Sequence, residues 1–215
     1  MNLEFALLGL LSATIATPAL AQKAADVPGG KYAREAEQMF RSSFRTDNPK
    51  YWMARLDQDE TMKTCGQYRD NPPRKIGEQL EKLNKATIRY PVEGQLIGDW
   101  KEGEKLAAVG TGGHIGFIQP DPAGRLRGGN CYACHQLARK ELAYGTIGPS
   151  LRHFGKIRGN SEEIIKYAYD KIYNSNSFTA CTNMPRFGLH SWLTPEQITH
   201  IVAFLVDPES PVNKD

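Results

Sequence analysis

The chain of 215 residues lacks any surplus of charge, has one long apolar run, and shows no internal repeat or low-complexity tract. Its formal net charge is +3, and the basic residues are scattered instead of forming a stripe. That counts against a nucleic-acid binder and leaves a mildly charged docking surface as the use of the balance. Beyond the first twenty or so residues no apolar stretch is long enough to span a bilayer. Nor is there an acid–base pair, a nucleophile–histidine dyad or a phosphate-binding loop, so the chain by itself shows no machinery for making or breaking bonds. Cysteine is scarce too, with four residues at 65, 131, 134 and 181. What is present, 40% hydrophobic and 24% charged residues, suffices for one domain with a sizeable core plus a smaller appendage.

Two of the cysteines form the run Cys131-Tyr132-Ala133-Cys134-His135. In an exported protein a C-x-x-C-H run is the attachment site of a c-type haem. Two thiols at that spacing form thioethers to the vinyl groups, and the next imidazole binds the iron. A zinc half-site would need a second C-x-x-C or H-x-x-x-H, whereas Cys65 and Cys181 stand alone. A dithiol redox pair would open a helix in a βαβ pattern, and none surrounds it. With no second C-x-x-C-H, the expectation is one covalent haem c.

Residues 1–21 resemble a secretory signal, with an apolar run from Phe5 to Ile15 and Ala19-Leu20-Ala21 as a small-x-small cleavage site before Gln22. The segment ahead of the run carries Glu4 and no Lys or Arg, which points to a start codon placed too far downstream. Losing it removes one acidic and no basic residue, leaving 27 basic against 23 acidic and a charge of +4. The expected location is an oxidising compartment, the periplasm of a Gram-negative source.

The spacing of apolar residues predicts an all-α chain: a signal at 1–21, a helical N-terminal extension at 22–95 and a haem domain at 96–215. After a Pro28-Gly29-Gly30 linker, a helix over 31–45 places Ala36, Met39, Phe40 and Phe44 on one face. A second runs through Trp52 and Leu56 to about Cys65, and a third starts near Arg74 with Ile76, Leu80 and Leu83 aligned. Thr87 to Tyr90 reads as extended. Asp99 caps a helix to Ala108 whose Gly103 costs about 1 kcal/mol relative to Ala and so asks for a close neighbour. A Gly- and Pro-rich loop from Gly110 to Gly129 leads to the cysteines. Asn160 or Ser161 caps a helix facing Ile164, Ile165, Ala168 and Ile172 inward. Asn174-Ser175-Asn176-Ser177 reads as a polar turn. Thr194, Pro195 and Gln197 open a last helix with a capping box and the stripe Ile198, Ile201, Val202 and Leu205. The tail from Pro208 to Asp215 reads as polar and peripheral.

His135 is expected to bind iron through one ring nitrogen while the other donates to a backbone carbonyl, and the Gly148-Pro149 break makes Pro149 the natural acceptor. For the sixth position Met184 is favoured. It lies in a loop before the closing helix with Pro185 stiffening its far side, while Met39, Met53 and Met62 read as core fillers. His190, His153 or an open site are the competitors, and His114 and His200 read as surface or satisfied histidines. A thioether on iron raises the reduction potential, so the expected work is accepting and passing electrons. Cys65 and Cys181 are an even pair in an exported chain, and a disulfide between them is expected to staple the extension to the Met184 loop. Two buried free thiols are the alternative.

The series D-W-x-x-G-E-K-L-A, G-G-N-C-Y-A-C-H, G-T-I-G-P-S-L, N-M-P-R-F-G and T-P-E-Q, over about residues 85–213, resembles the SoxX cytochrome subunits of the SoxAX complex of bacterial thiosulfate oxidation. The resemblance implies a class I cytochrome c fold in which the Gly103 helix crosses the C-terminal helix, with His135 and Met184 as axial ligands. It also implies a SoxA partner carrying the catalytic haem, the carrier protein SoxYZ to whose cysteine thiosulfate is joined, and a small acceptor c-type cytochrome. On that reading the chain relays electrons, and the thiosulfate chemistry lies in the partner. A free-standing class I cytochrome c, or a haem-based sensor with an open sixth site, are the readings it competes with.

Overall fold

A computed structural model of the chain describes residues 31–43, 57–111, 122 and 124–214. The signal at 1–21, the linker at 28–30, Phe44, Trp52, Met53, Leu56 and His114 lie outside the described residues. Among those described there is no strand. The longer helices are α1 (Lys31–Ser43), α2 (Glu60–Gln67), α3 (Arg74–Lys85), α4 (Trp100–Ala108), α5 (Phe154–Arg158), α6 (Glu162–Tyr173) and α7 (Pro195–Val206). Single 3-10 turns sit at Cys131–Ala133, Ser175–Ser177 and Pro211–Asn213.

The helix starts follow local chemistry. Asp59, Asp99, Ser161 and Thr194 each accept a backbone N–H of the first turn, satisfying donors that the helix leaves orphaned. At α7 the expected box is complete: Thr194 accepts from Gln197, Gln197 reaches back to Thr194, and Pro195 occupies the first turn.

α4 crosses α7 at the heart of the molecule, and Gly103 explains how. A Cβ at Gly103 would lie 2.6 Å from the His200 carbonyl carbon and 2.8 Å from Phe204 Cβ, so the two backbones approach as only glycine allows. His200 is part of this joint: its Nδ1 accepts the Asp99 N–H at 2.8 Å. Around the crossing lies the main core, in which Leu106, Ala107, Tyr169, Ile198, Val202 and Phe204 are buried. α7 is buried on nearly every side, wider than the four-residue stripe its sequence suggests. α6 contributes Tyr169 and Tyr173 as well as the expected aliphatics.

Other expectations need correcting: the second helix does not run unbroken to Cys65, because residues 57–59 are not helical and α2 starts at Glu60 behind its cap Asp59. On α1 the aligned Met39 and Phe40 are exposed. On α3 the buried residues are Leu80 and Asn84, while Leu83 turns outward. The run from Thr87 to Tyr90, which reads as extended, joins no strand and is tied to α6. Tyr169 donates to the Arg89 carbonyl at 2.7 Å, and Tyr90 donates to Asp170 at 2.9 Å. The C-terminal tail is not peripheral either. Ser210, Val212 and Asn213 are buried, and Asn213 donates to the carbonyls of Leu205 and Asp207 while accepting from the N–H of Gly155. That bond steadies α5, a short helix that the sequence pattern does not reveal.

The greatest surprise is Asn174-Ser175-Asn176-Ser177, a polar turn by sequence and a buried hub in the fold. Asn174 Nδ2 donates to Asn84 Oδ1 at 3.0 Å and to Thr87 Oγ1 at 2.9 Å. Asn84 in turn donates to Thr61 Oγ1 at 2.8 Å. Buried polar groups persist when every partner is supplied, and here the partners come from α2 and α3, about ninety residues earlier in the chain. A small satellite core of Cys65, Leu80 and Ala180 lies beside the hub.

Candidate functional site

The stretch entering the cysteine motif is pinned to the end of α4. Gly129 and Asn130 donate to the carbonyls of Leu106 and Val109, groups that a helix C-terminus leaves unpaired. The Trp192 indole donates to the Gly128 carbonyl at 2.8 Å from the other side. Asn130 then takes a left-handed conformation (φ 46°), turning the chain into the 3-10 turn that carries Cys131. The N–H groups of Cys134 and His135 both donate to the Cys131 carbonyl, so the two cysteines and the histidine sit on one tight turn.

Beyond the turn the chain doubles back beneath it. Gly145, Gly148 and Leu151 donate to the carbonyls of Tyr132, Cys134 and Gln136. The His135 ring lies directly on Gly148, where a Cβ would come within 2.5 Å of Nδ1 and 2.8 Å of Nε2. Its Nδ1 is 2.7 Å from the Pro149 carbonyl oxygen. A carbonyl oxygen can only accept, so Nδ1 carries a proton and Nε2 is the ring nitrogen left to serve as a metal ligand. Sequence and structure thus bring His135, Gly148 and Pro149 into one unit suited to holding a metal through Nε2.

Cys131 and Cys134 are both half-buried, and neither is in a disulfide. Burial pushes the Cys131 thiol up to about 12. A redox dithiol needs a thiolate near neutral pH, and Cys131 is held far from that state. Among the described residues the group at metal-ligand spacing is Cys65, Asp70 and Cys181, which does not include the motif, so the zinc reading finds no completing ligands.

Met184 is half-buried and packs against the same core as Cys131, Tyr132, Leu151, Phe187 and Trp192. Phe187, three residues further on, faces Gly129 beside Cys131. Ser175 Oγ donates to the Met184 carbonyl at 2.5 Å, and Met184 N–H donates to Thr182 Oγ1 at 3.2 Å. Cys65 and Cys181 form a disulfide with Cα atoms 5.5 Å apart. The His153 N–H donates to Val212 at the start of α5, His190 is exposed in the loop after Met184, and His200 belongs to the α4–α7 joint.

The donor set fits a covalently held haem: two cysteine sulfurs and an oriented imidazole on one tight turn, with Cys131 and the Met184 thioether against one apolar core. Arg152, three residues past Pro149, adds a buried Nε with no hydrogen-bond partner among the described residues, a donor that an anionic group would satisfy. What the sequence reading missed is Ser175 and Arg186. Their only signal was polarity, and polar residues beside a turn read as solvent-facing.

Residues 124–207 match the family model described as Cytochrome c. The chain is also similar to a protein of Aquifex aeolicus (strain VF5) named "Uncharacterized lipoprotein", 42% identical over 166 residues, which is 77% of each chain. Residues 96–215 number 120, so a match of 166 residues takes in at least 46 residues of the region before them.

Proposed function

The chain belongs to the cytochrome c family, with the all-α class I fold and one covalently attached haem c, and from that premise we propose that it is an electron relay held beside a partner enzyme subunit. Membership makes it a haem-based electron carrier. The proposal concerns the ligands, the partner and the place.

Cys131 and Cys134 would hold the haem through thioethers, and His135 would bind iron through the Nε2 that its bond to Pro149 leaves free. Met184 would supply the other iron ligand through its thioether. When bound, the group supplies a one-electron couple, and a thioether ligand poises it at a high potential. The chain's own residues do the positioning. Gly148 gives the imidazole room, the Pro149 carbonyl fixes its tautomer and raises its basicity, and Phe187 and Trp192 pack on the same core as the half-buried Cys131. The orientation of His135 on Pro149 is the observation that carries this reading. A partner would be SoxA-like, with SoxYZ and an acceptor cytochrome engaged transiently, as the SoxX-like segments imply. The periplasm is the matching compartment, and the lipoprotein name of the Aquifex relative supports a place outside the cytoplasm.

Co-purification tests the partner. The tagged chain is expected to elute as a stable complex with a SoxA-type haem protein from cells grown on thiosulfate. A chain that stays monomeric with that protein added would favour the free-standing carrier, a reading the cytochrome c match supports equally. For the ligands, the ferrous protein is expected to bind carbon monoxide slowly. Rapid binding with no methionine-to-iron band would sink the electron-transfer reading and favour the sensor.

A further inference from the structure

The function outlined above uses the cysteine turn, His135 and Met184, and leaves the N-terminal layer without a role. That layer is tied to the rest of the chain in an unusual way. Met184 sits between Phe178 and Leu193, a stretch without a regular helix. The haem-side core holds Met184, Phe187 and Trp192, but the approach to Met184 is held from elsewhere. Three residues before it, Cys181 is bonded to Cys65 of α2 across 116 residues of chain. Two residues after it, the buried Arg186 pairs with Asp59, the N-cap of α2, at 2.5 Å. Behind it, Ser175 donates to the Met184 carbonyl, and the neighbouring Asn174 is fixed by Asn84 and Thr87 at the end of α3. Ala180 packs between Cys65 and Leu80, and its own carbonyl accepts from Asn176 at 2.6 Å. Each of these ties from α2 and α3 lands between Asn174 and Arg186.

From this placement we infer that α2 and α3 form a brace that positions Met184, with Asp59, Arg186 and the Cys65–Cys181 pair as its positioning residues. The inference rests on the reading of Met184 as the sixth ligand. A ligand carried on an irregular loop is lost in the fraction of molecules in which the loop opens locally. The brace flanks the ligand on both sides with one covalent tie and one buried ion pair, so it acts on that opening and not on the α4–α7 core. An external ligand binds only the opened fraction, so its apparent rate reports the brace directly.

The test uses the intact holoprotein and four forms: wild type, Met184→Ala, Asp59→Asn and the double variant Cys65→Ser with Cys181→Ser. Asn at position 59 still caps α2 and removes only the charge. The readouts are the ferric methionine-to-iron charge-transfer band and the rate of carbon monoxide binding to the ferrous form, taken well below each melting temperature. Circular dichroism checks that helix content is retained. Wild type is expected to show the band and Met184→Ala to lose it. Asp59→Asn and the double cysteine variant are each expected to keep their helix content, weaken the band and bind carbon monoxide about tenfold faster, the same factor as the rise in the opened fraction. If wild type and Met184→Ala are spectrally alike, the ligand reading itself fails and takes the inference with it. If Met184→Ala loses the band while the other two variants retain its full strength and the slow rate, Met184 is the ligand and the brace is overturned. Should the cysteine variant not fold, Asp59→Asn decides alone, and Arg186→Lys, which keeps the charge, is expected to retain more of the band than Arg186→Ala.

Discussion

Replacing Gly103 with alanine tests the packing on which the whole domain turns. In an exposed helix the change would stabilise, because glycine costs about 1 kcal/mol relative to alanine. At Gly103 the new methyl would lie 2.6 Å from the His200 carbonyl carbon, 2.8 Å from Phe204 Cβ, and closer still to the His200 oxygen. Two of these three obstacles belong to the α7 backbone, which no rotamer change can move aside. α4 and α7 must therefore separate by roughly 1 Å. Strain from overpacking runs at about 1–3 kcal/mol, and a clash with backbone belongs at the upper end. After the propensity gain is subtracted, the net loss is about 2 kcal/mol. For a domain of this size that lowers the melting temperature by about 4–8 °C. Gly66 in α2 is the control, since a Cβ there meets nothing within 4 Å. Gly66→Ala is expected to raise stability by about 0.5–1 kcal/mol. Urea unfolding of the two holoproteins, followed by circular dichroism, should show opposite signs for the same chemical change. A Gly103→Ala protein as stable as wild type would refute the claim that the crossing depends on glycine.

Further outcomes follow from the same geometry. Gly148→Ala would press on the His135 ring, with Nδ1 only 2.5 Å from the new methyl, and is expected to break the Pro149 bond. The thioethers would survive on a denaturing gel while the reduction potential rises, because the imidazole loses the bond that raises its basicity, and an unchanged potential would refute it. Reducing or deleting the Cys65–Cys181 bond opens a loop of 116 residues and is expected to lower stability by about 4–5 kcal/mol in the chain-entropy limit. Burial raises the Asp59 carboxyl, but its bonds to the Met62 N–H and Arg186 outweigh that and leave it below the usual range. A lowered native value means its contribution is present above about pH 4 and is lost as pH falls through the native value. Asp59 is 41% exposed, so the contribution is about 1 kcal/mol. Wild type should be more stable than Asp59→Asn at pH 7, with the gap narrowing as pH falls through the lowered native value, and a pH-independent gap would contradict this. Asn213→Ala strips two donated bonds from buried carbonyls and two accepted ones from α5, and is expected to cost about 2–3 kcal/mol by denaturant unfolding.

The readable features share one property, in that each is decided within a few residues. Thr194, Pro195 and Gln197 announce the start of α7 because a capping box closes over a single turn. Asp99 and Ser161 do the same for α4 and α6. The cysteine motif is readable because thioether attachment demands two thiols three apart and an imidazole next in line. Gly103 told of a close neighbour without naming it. The exposed Leu83 and buried Asn84 misled for the opposite reason, since a helix of polar and apolar residues can bury either face when a partner satisfies its polar groups.

By itself, then, the sequence determined the helical class, the starts of α4, α6 and α7 and the haem-bearing turn, and it suggested the pairing of two lone cysteines. The tertiary structure alone decided that Asn174 to Ser177 lie inside, that the tail closes over α5, and that α2 and α3 grip the loop of Met184. The division has a physical cause. A cap or a motif satisfies its own chemistry nearby, whereas a buried amide or an ion pair is stable only when its partner arrives from elsewhere in the chain. Asn84 meets Asn174 across 90 residues and Asp59 meets Arg186 across 127, distances over which no local pattern carries information.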